Sequence, residues 1–221
     1  GQSLGDNVAM DFPSGTNGDL ADLVAAYPLA WLTNNGPAGF FATPLPLIAE
    51  TGPDGAVVAL IGHCSRRNAQ VAALRADPRA QILFMGPQGY VSPALVSRPH
   101  WAQTWNFAVA TFEVTVAFGE DSETLPAVRL LTEHAEASQG RPWQVEDAGE
   151  RLPNLLSRII SFRATVHATD ARFKLGQEED VDVLREILAA YPDPVMAGWM
   201  RRLNADRLDT DDAEAIIGET G

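Results

Sequence analysis

The chain has 221 residues, 46% of them hydrophobic, and a net charge of −13 from 16 basic and 29 acidic side chains. That is enough apolar material for one sizeable core, and the acidity argues against a duplex-binding surface or adhesion to anionic membranes, both of which need clustered lysine and arginine. The single Cys64 excludes an internal disulfide framework and suits a reducing, cytoplasmic setting, and no apolar run approaches the length of a membrane span.

Residues 1–17 are polar and glycine-rich and read as a flexible tail, followed by one domain over 18–191 and a C-terminal helical extension over 192–221. Asp19 to Tyr27 sets Leu20, Leu23 and Val24 on one stripe, the spacing of a short amphipathic helix. Leu29 to Thr33 and Gly39 to Thr43 are strand-like and flank Asn34-Asn35-Gly36-Pro37-Ala38, a hairpin loop. Pro44 to Ile48 continues extended, its prolines pushing it to a sheet edge or a bulge. Ala56 to Ile61 reads as a buried strand, and Asn68 to Arg75 as a helix opening on a capping Asn or Ser and ended by Asp77-Pro78.

Ala80 to Met85 is a strand, turned by Gly86-Pro87-Gln88-Gly89 into Tyr90-Val91-Ser92-Pro93. From Asn106 to Phe118, Phe112, Val114, Val116 and Phe118 alternate with Thr111, Glu113 and Thr115, the period of a strand. Ser122 is placed to cap a helix running to about Ser138. Leu152 to Ile160 is apolar, Ser161 to Thr169 is strand-like, Val181 to Ala190 is helical, and Pro192-Asp193-Pro194 opens a last helix through Arg202. Asp209 to Glu214 is an acidic, solvated tail. Antiparallel hairpins with helices inserted among them predict an α+β fold, a barrel with peripheral helices; the regular strand–helix alternation of a parallel sheet is missing.

Gly62-His63-Cys64-Ser65-Arg66-Arg67-Asn68 joins a strand to a helix start. Helix N-termini carry partial positive charge, so two arginines there are unfavourable unless an anion sits among them, and phosphate is the commonest such anion. Solvated surface arginines are the plain alternative. Adjacent residues at a strand end face opposite sides, so His63 and Cys64 make no catalytic pair, and Cys64 reads as a small buried side chain. His100, His134 and His167 have no metal-ligand spacing. Glu133, His134 and Glu136 read as a solvated helix face. Trp31 and Trp105 could each stack on a flat ligand ring but are core aromatics by default; for Trp105, between Thr104 and Asn106, core or interface weighs evenly against ligand contact.

Three fragments resemble the PaiB-like proteins in order and spacing: Gly62 to Gln70, Phe84 to Pro93, and Thr104-Trp105-Asn106-Phe107. Leu131 to Glu136, Pro142-Trp143 and Phe173 to Gln177 extend the resemblance, which runs from about Phe12 to Ala190. These are FMN-binding split-barrel proteins related to the pyridoxamine-phosphate oxidase fold. The resemblance implies an antiparallel split β-barrel and a homodimer with FMN in each groove between two barrels. It places His63, Ser65, Arg66, Arg67 and Asn68 at the FMN phosphate, and Tyr90, Ser92, Trp105 and Asn106 near the flavin or the dimer groove. Lys174 and Gln177 fall on the family's late Lys-x-x-Gln motif as secondary contacts.

The sequence departs from the family where Pro44 stands near a common His, Ala94-Leu95-Val96 replaces an aromatic pair, Gln103 replaces Pro, Phe107 replaces Tyr, and Glu178 replaces Asn; Ala108 to Thr111 has also lost a His. These changes spare the phosphate corner and strip the flavin-ring side. The resemblance implies a flavin-dependent oxidoreductase acting on a small molecule or, alternatively, a non-enzymatic negative transcriptional regulator or flavin sensor. No residue stands out as a general acid or base. Direct DNA binding is not expected: the best basic cluster is assigned to the cofactor, and Arg201-Arg202 is the other basic pair.

Overall fold

A computed structural model describes residues 12–209, so most of the expected N-terminal tail and all but the first residue of the acidic C-terminal tail lie outside the described residues. Helix α1 (Asn17–Ala26) opens on a capping box between Thr16 and Asp19 and buries Leu20, Leu23 and Val24. The strands are β1 (Leu29–Gly36), β2 (Gly39–Pro46), β3 (Ile48–Thr51), β4 (Val57–Ser65), β5 (Arg79–Val91), β6 (Thr104–Phe118) and β7 (Ile159–Lys174). Between and after them lie α2 (Ala69–Ala76), α3 (Asp121–Glu136), α4 (Leu152–Ser157), α5 (Val181–Ala190) and α6 (Pro194–Leu203).

All seven strands pair antiparallel in the order β2-β1-β5-β6-β7-β4-β3. The edge strands β2 and β3 are consecutive in the chain and separated by Leu47 alone. A seven-stranded sheet whose two edges are joined by one residue has to roll up until those edges meet. The ladder stays open at that seam, and the result is the expected split barrel. Leu47 closes it: its N–H donates to Pro28 O at 2.9 Å and its side chain is fully buried. Inside the roll lie Leu32, Leu60, Ile82, Phe84, Phe112, Phe162 and Ala164, with Phe84 edge-on to Phe112 at 5.8 Å between centroids. Val183, Leu184 and Ile187 of α5 and Met196, Ala197 and Met200 of α6 join the same core.

Several boundaries differ from the sequence reading. The hairpin loop shrinks to Pro37-Ala38, because Asn34 to Gly36 stay paired with Gly39 to Phe41. The two segments either side of Gly86 form one strand, with the register shifting between Met85 and Gln88. Gly86 makes this bulge possible: a Cβ there would lie 2.2 Å from Leu23 Cδ1, so α1 packs where a side chain would stand. Glu120, not Ser122, caps α3, in a reciprocal box with Glu123. β7 runs five residues past Thr169 because its whole length pairs with β6, as far as Phe107↔Lys174.

Candidate functional site: the β4–α2 corner and the β5–β6 platform

At the end of β4, alternation sends Cys64 into the core and leaves His63 half-buried on the opposite face, across from Ser161. Burial pushes the Cys64 thiol up to about 11 and the His63 imidazole below its usual value. Ser65 Oγ accepts from Arg67 N at 3.2 Å, shaping the turn. Asn68 is the N-cap of α2: its Oδ1 accepts from Gln70 N at 3.0 Å and its Nδ2 donates to Thr43 Oγ1 at 3.0 Å. Thr43 donates on to Gln70 Oε1 at 2.6 Å, and Gln70 Nε2 donates to Leu32 O and Asn34 Oδ1. This polar chain locks the corner onto β1 and β2.

Both ends of Asn68 are therefore engaged, which leaves the arginine side chains as the corner's charged hydrogen-bond donors. They diverge. Arg66 Nη2 donates to Asp121 Oδ1 on α3 at 2.6 Å, whereas Arg67 is exposed and makes no ion pair among the described residues.

The other candidates lie elsewhere. Tyr90 and Trp105 face each other across the β5–β6 ladder with ring centroids 5.9 Å apart, both about half exposed, and Trp105 Nε1 donates to Gln88 Oε1 at 2.8 Å. Ser92 caps a short 3-10 turn through Ala94 N. Lys174 Nζ donates to Thr104 Oγ1 and, at 2.9 Å, to Trp105 O, holding the platform's backbone. Gln177 is spent on the chain leaving β7, accepting from Leu175 N and donating to Phe173 O, both at 2.7 Å. Asn106 faces the core: it is 2% exposed, its Nδ2 lies 3.3 Å from Met200 Sδ, and its Oδ1 has no partner.

The structure thus separates the candidates into a corner and a platform. Ser65 pairs with Ile159 at the start of β7 and Phe107 with Lys174 at its end, roughly 50 Å of strand path apart at about 3.3 Å per residue. On the outer face of β1 and β5, Trp31 is 49% exposed opposite Leu83, and Leu29 and Met85 are 62% and 56% exposed. This apolar face was missed from sequence, where Trp31 reads as core; its signal is the outward phase of the alternation. Glu133 and His134 are exposed, and Glu133 and Glu136 border a cleft of about 470 Å³ with Trp143 and Arg129. Among the described residues no group of His, Cys, Asp or Glu is arranged to hold a metal, and no helix is long and apolar enough to cross a membrane.

Comparison with known proteins follows the same lines. Residues 8–168 match the sequence model of the family described as "Putative FMN-binding domain". The chain is 25% identical over 140 residues to Protease synthase and sporulation protein PAI 2 of Bacillus subtilis (strain 168), covering 63% of this chain and 66% of that protein, just under two thirds of its length. Among solved structures it resembles the FAD and heme binding protein of Mycobacterium smegmatis (TM-score 0.55, 17% identity, 80% of this chain and 79% of that one). It also resembles the flavocytochrome Anf3 of Azotobacter vinelandii (TM-score 0.51, 14% identity, 78% and 72%). At these identities the structural likeness concerns the fold.

Proposed function

Because the chain belongs to this FMN-binding domain family, we propose that it is a homodimeric FMN-binding flavoprotein whose cofactor lies between two barrels. The observation that carries the reading is the separation of corner and platform by the length of β7, with an exposed apolar sheet face available for a second copy. Arg66 and Arg67 lie toward one end of β7 and Tyr90 and Trp105 toward the other, so we assign the two groups to different copies around one ligand. A two-fold partner, docked through Leu29, Trp31, Leu83 and Met85, sets one copy's platform near the other copy's corner. In this arrangement the corner guanidiniums hold the phosphate through charge-assisted hydrogen bonds, and Tyr90 and Trp105, their rings tilted 56° to each other, offer the isoalloxazine an aromatic contact.

When bound, FMN supplies the redox chemistry, and the chain's own residues bind it, orient it and exclude water. We place the protein among flavin-dependent oxidoreductases acting on a small molecule. The engagement of Lys174 and Gln177 in backbone contacts favours a second reading, a flavin sensor or regulator that performs no turnover. Direct DNA binding is disfavoured by the acidity and by the fate of the second basic pair: Arg202 is tied to Asp19 and Asp22, and Arg201 donates to Leu188 O. The test is the visible spectrum of purified protein before and after FMN. Flavin bands that stay with the protein through gel filtration support the cofactor, and their absence sinks it. Anaerobic bleaching by NADH or NADPH then separates the oxidoreductase from the sensor.

A further inference from the structure

The β4–α2 corner carries a charge imbalance that folding alone does not explain. The β4–β7 register passes through Cys64↔Ile160 and Ser65↔Ile159, and continues one step further, since Arg66 N donates to Arg158 O at 3.0 Å. Two arginine backbones are therefore bonded just beyond the ladder, Arg158 being the residue that ends α4. Arg67 follows directly. Among the described residues, neither Arg67 nor Arg158 makes an ion pair, and the carboxylate on Arg66 is Asp121, whose own side chain is 90% exposed. An ion pair so open to water is weak and readily exchanged.

Arg66 and Asp121 line a cleft of about 370 Å³ together with Thr124, Pro153, Leu156 and Ser157. Thr124 is 2% exposed and its Oγ1 has no hydrogen-bond partner, which buried hydroxyls ordinarily avoid. An Arg66 ion pair open to water and a buried hydroxyl without a partner on one cleft, with Arg67 next in sequence and the Arg158 backbone bonded to that of Arg66, match a phosphomonoester: up to two negative charges and three acceptor oxygens.

We propose that Arg158 is the third guanidinium of the phosphate seat and that Asp121 is an internal counter-ion that the phosphate displaces from Arg66. The proposal rests on the flavin reading above and adds a regulating element to it. Asp121 is the first residue of α3, so phosphate binding exchanges the Arg66–Asp121 contact for one to the ligand. A ligand without the phosphate leaves Asp121 in place.

The experiment titrates FMN and riboflavin, at fixed ionic strength, into the wild-type protein, Asp121→Asn and Arg158→Gln, read by flavin fluorescence. Asp121→Asn is expected to tighten FMN about threefold. Arg158→Gln is expected to weaken FMN about tenfold. Riboflavin affinity stays level throughout. Unchanged FMN affinity in either variant, or equal shifts for both flavins, overturns the proposal. In parallel, the rise in Tm with inorganic phosphate over matched chloride reads the seat without flavin: Asp121→Asn enlarges it and Arg158→Gln abolishes it. A wild-type protein that binds neither flavin, yet gives this phosphate pattern, overturns the flavin reading and retains the seat. A Tm response to phosphate that neither variant changes overturns the seat.

Discussion

Gly62 and Leu47 are packed so closely that a Cβ on Gly62 would lie 2.4 Å from Leu47 Cδ2, with Phe162 Cζ at 3.1 Å behind it. The glycine next to the corner is thus the surface against which the seam residue seats. Gly62→Ala is expected to destabilise the fold by about 1–3 kcal/mol through overpacking. Urea unfolding followed by Trp fluorescence checks this: the midpoint drops while the slope stays constant. An unchanged midpoint means that the seam does not depend on that contact.

Arg67, exposed and without an ion-pair partner among the described residues, has no structural task that its loss would disturb. A charge-assisted hydrogen bond contributes about 1.5–3 kcal/mol, so Arg67→Ala should weaken FMN binding roughly tenfold or more while leaving Tm in place. Riboflavin is the control. Equal losses for both ligands would remove Arg67 from the phosphate site.

Stability should fall on both sides of neutrality through two neighbouring residues. His63 has its folded-state pKa depressed by burial, so its contribution is complete above the unfolded value of 6.5 and is lost as pH falls below it toward the folded one. Cys64 has its pKa raised from 9.0 to about 11, so its contribution is complete below pH 9 and is lost as pH rises through about 11. Melting curves between pH 5 and pH 7 should flatten in His63→Gln. The native thiol should resist alkylation at pH 8 until denaturant is added.

The apolar outer face gives the assembly prediction. Trp31 and Leu83 are cross-strand neighbours, and a charge placed among them would have to be desolvated on docking. Trp31→Glu should convert a dimer to monomers at micromolar concentration, as a buried aromatic anchor is worth about 2 kcal/mol or more. Sedimentation velocity reads the change; a wild-type monomer in the presence of saturating FMN would overturn the dimer.

Much of the fold was legible because it is written in local terms. The alternation from Thr111 to Phe118, the Asn68 cap and the helix start at Pro192-Asp193-Pro194 each need only neighbours in sequence, and each is found in place. What escaped depends on distant partners. Gly86 reads as a turn glycine until α1 is known to lie on it. Asp121 and Arg158 carry no signal until α3 brings the first into an ion pair with Arg66 and the end of the β4–β7 ladder bonds the second to its backbone. Trp105 and Asn106 are adjacent in sequence, yet the strand turns the first outward to the platform and the second into the core under α6. The motif residues are read from sequence; their division between the two ends of β7 emerges only from its pairing with β4 and β6.

Pro44 and Pro46 sit on β2, the strand that ends the sheet on one side. Neither has an N–H to donate, so a strand from another molecule cannot extend the ladder there without leaving its own carbonyls unmet. At the opposite border, β3 is four residues long and its last pair is displaced by an irregularity. The protein thus carries a sticky face and two blunted borders. Crowded molecules are steered away from open-ended cross-strand stacking, the route into fibrils, and in the dimer proposed above the apolar face is covered by a single second copy.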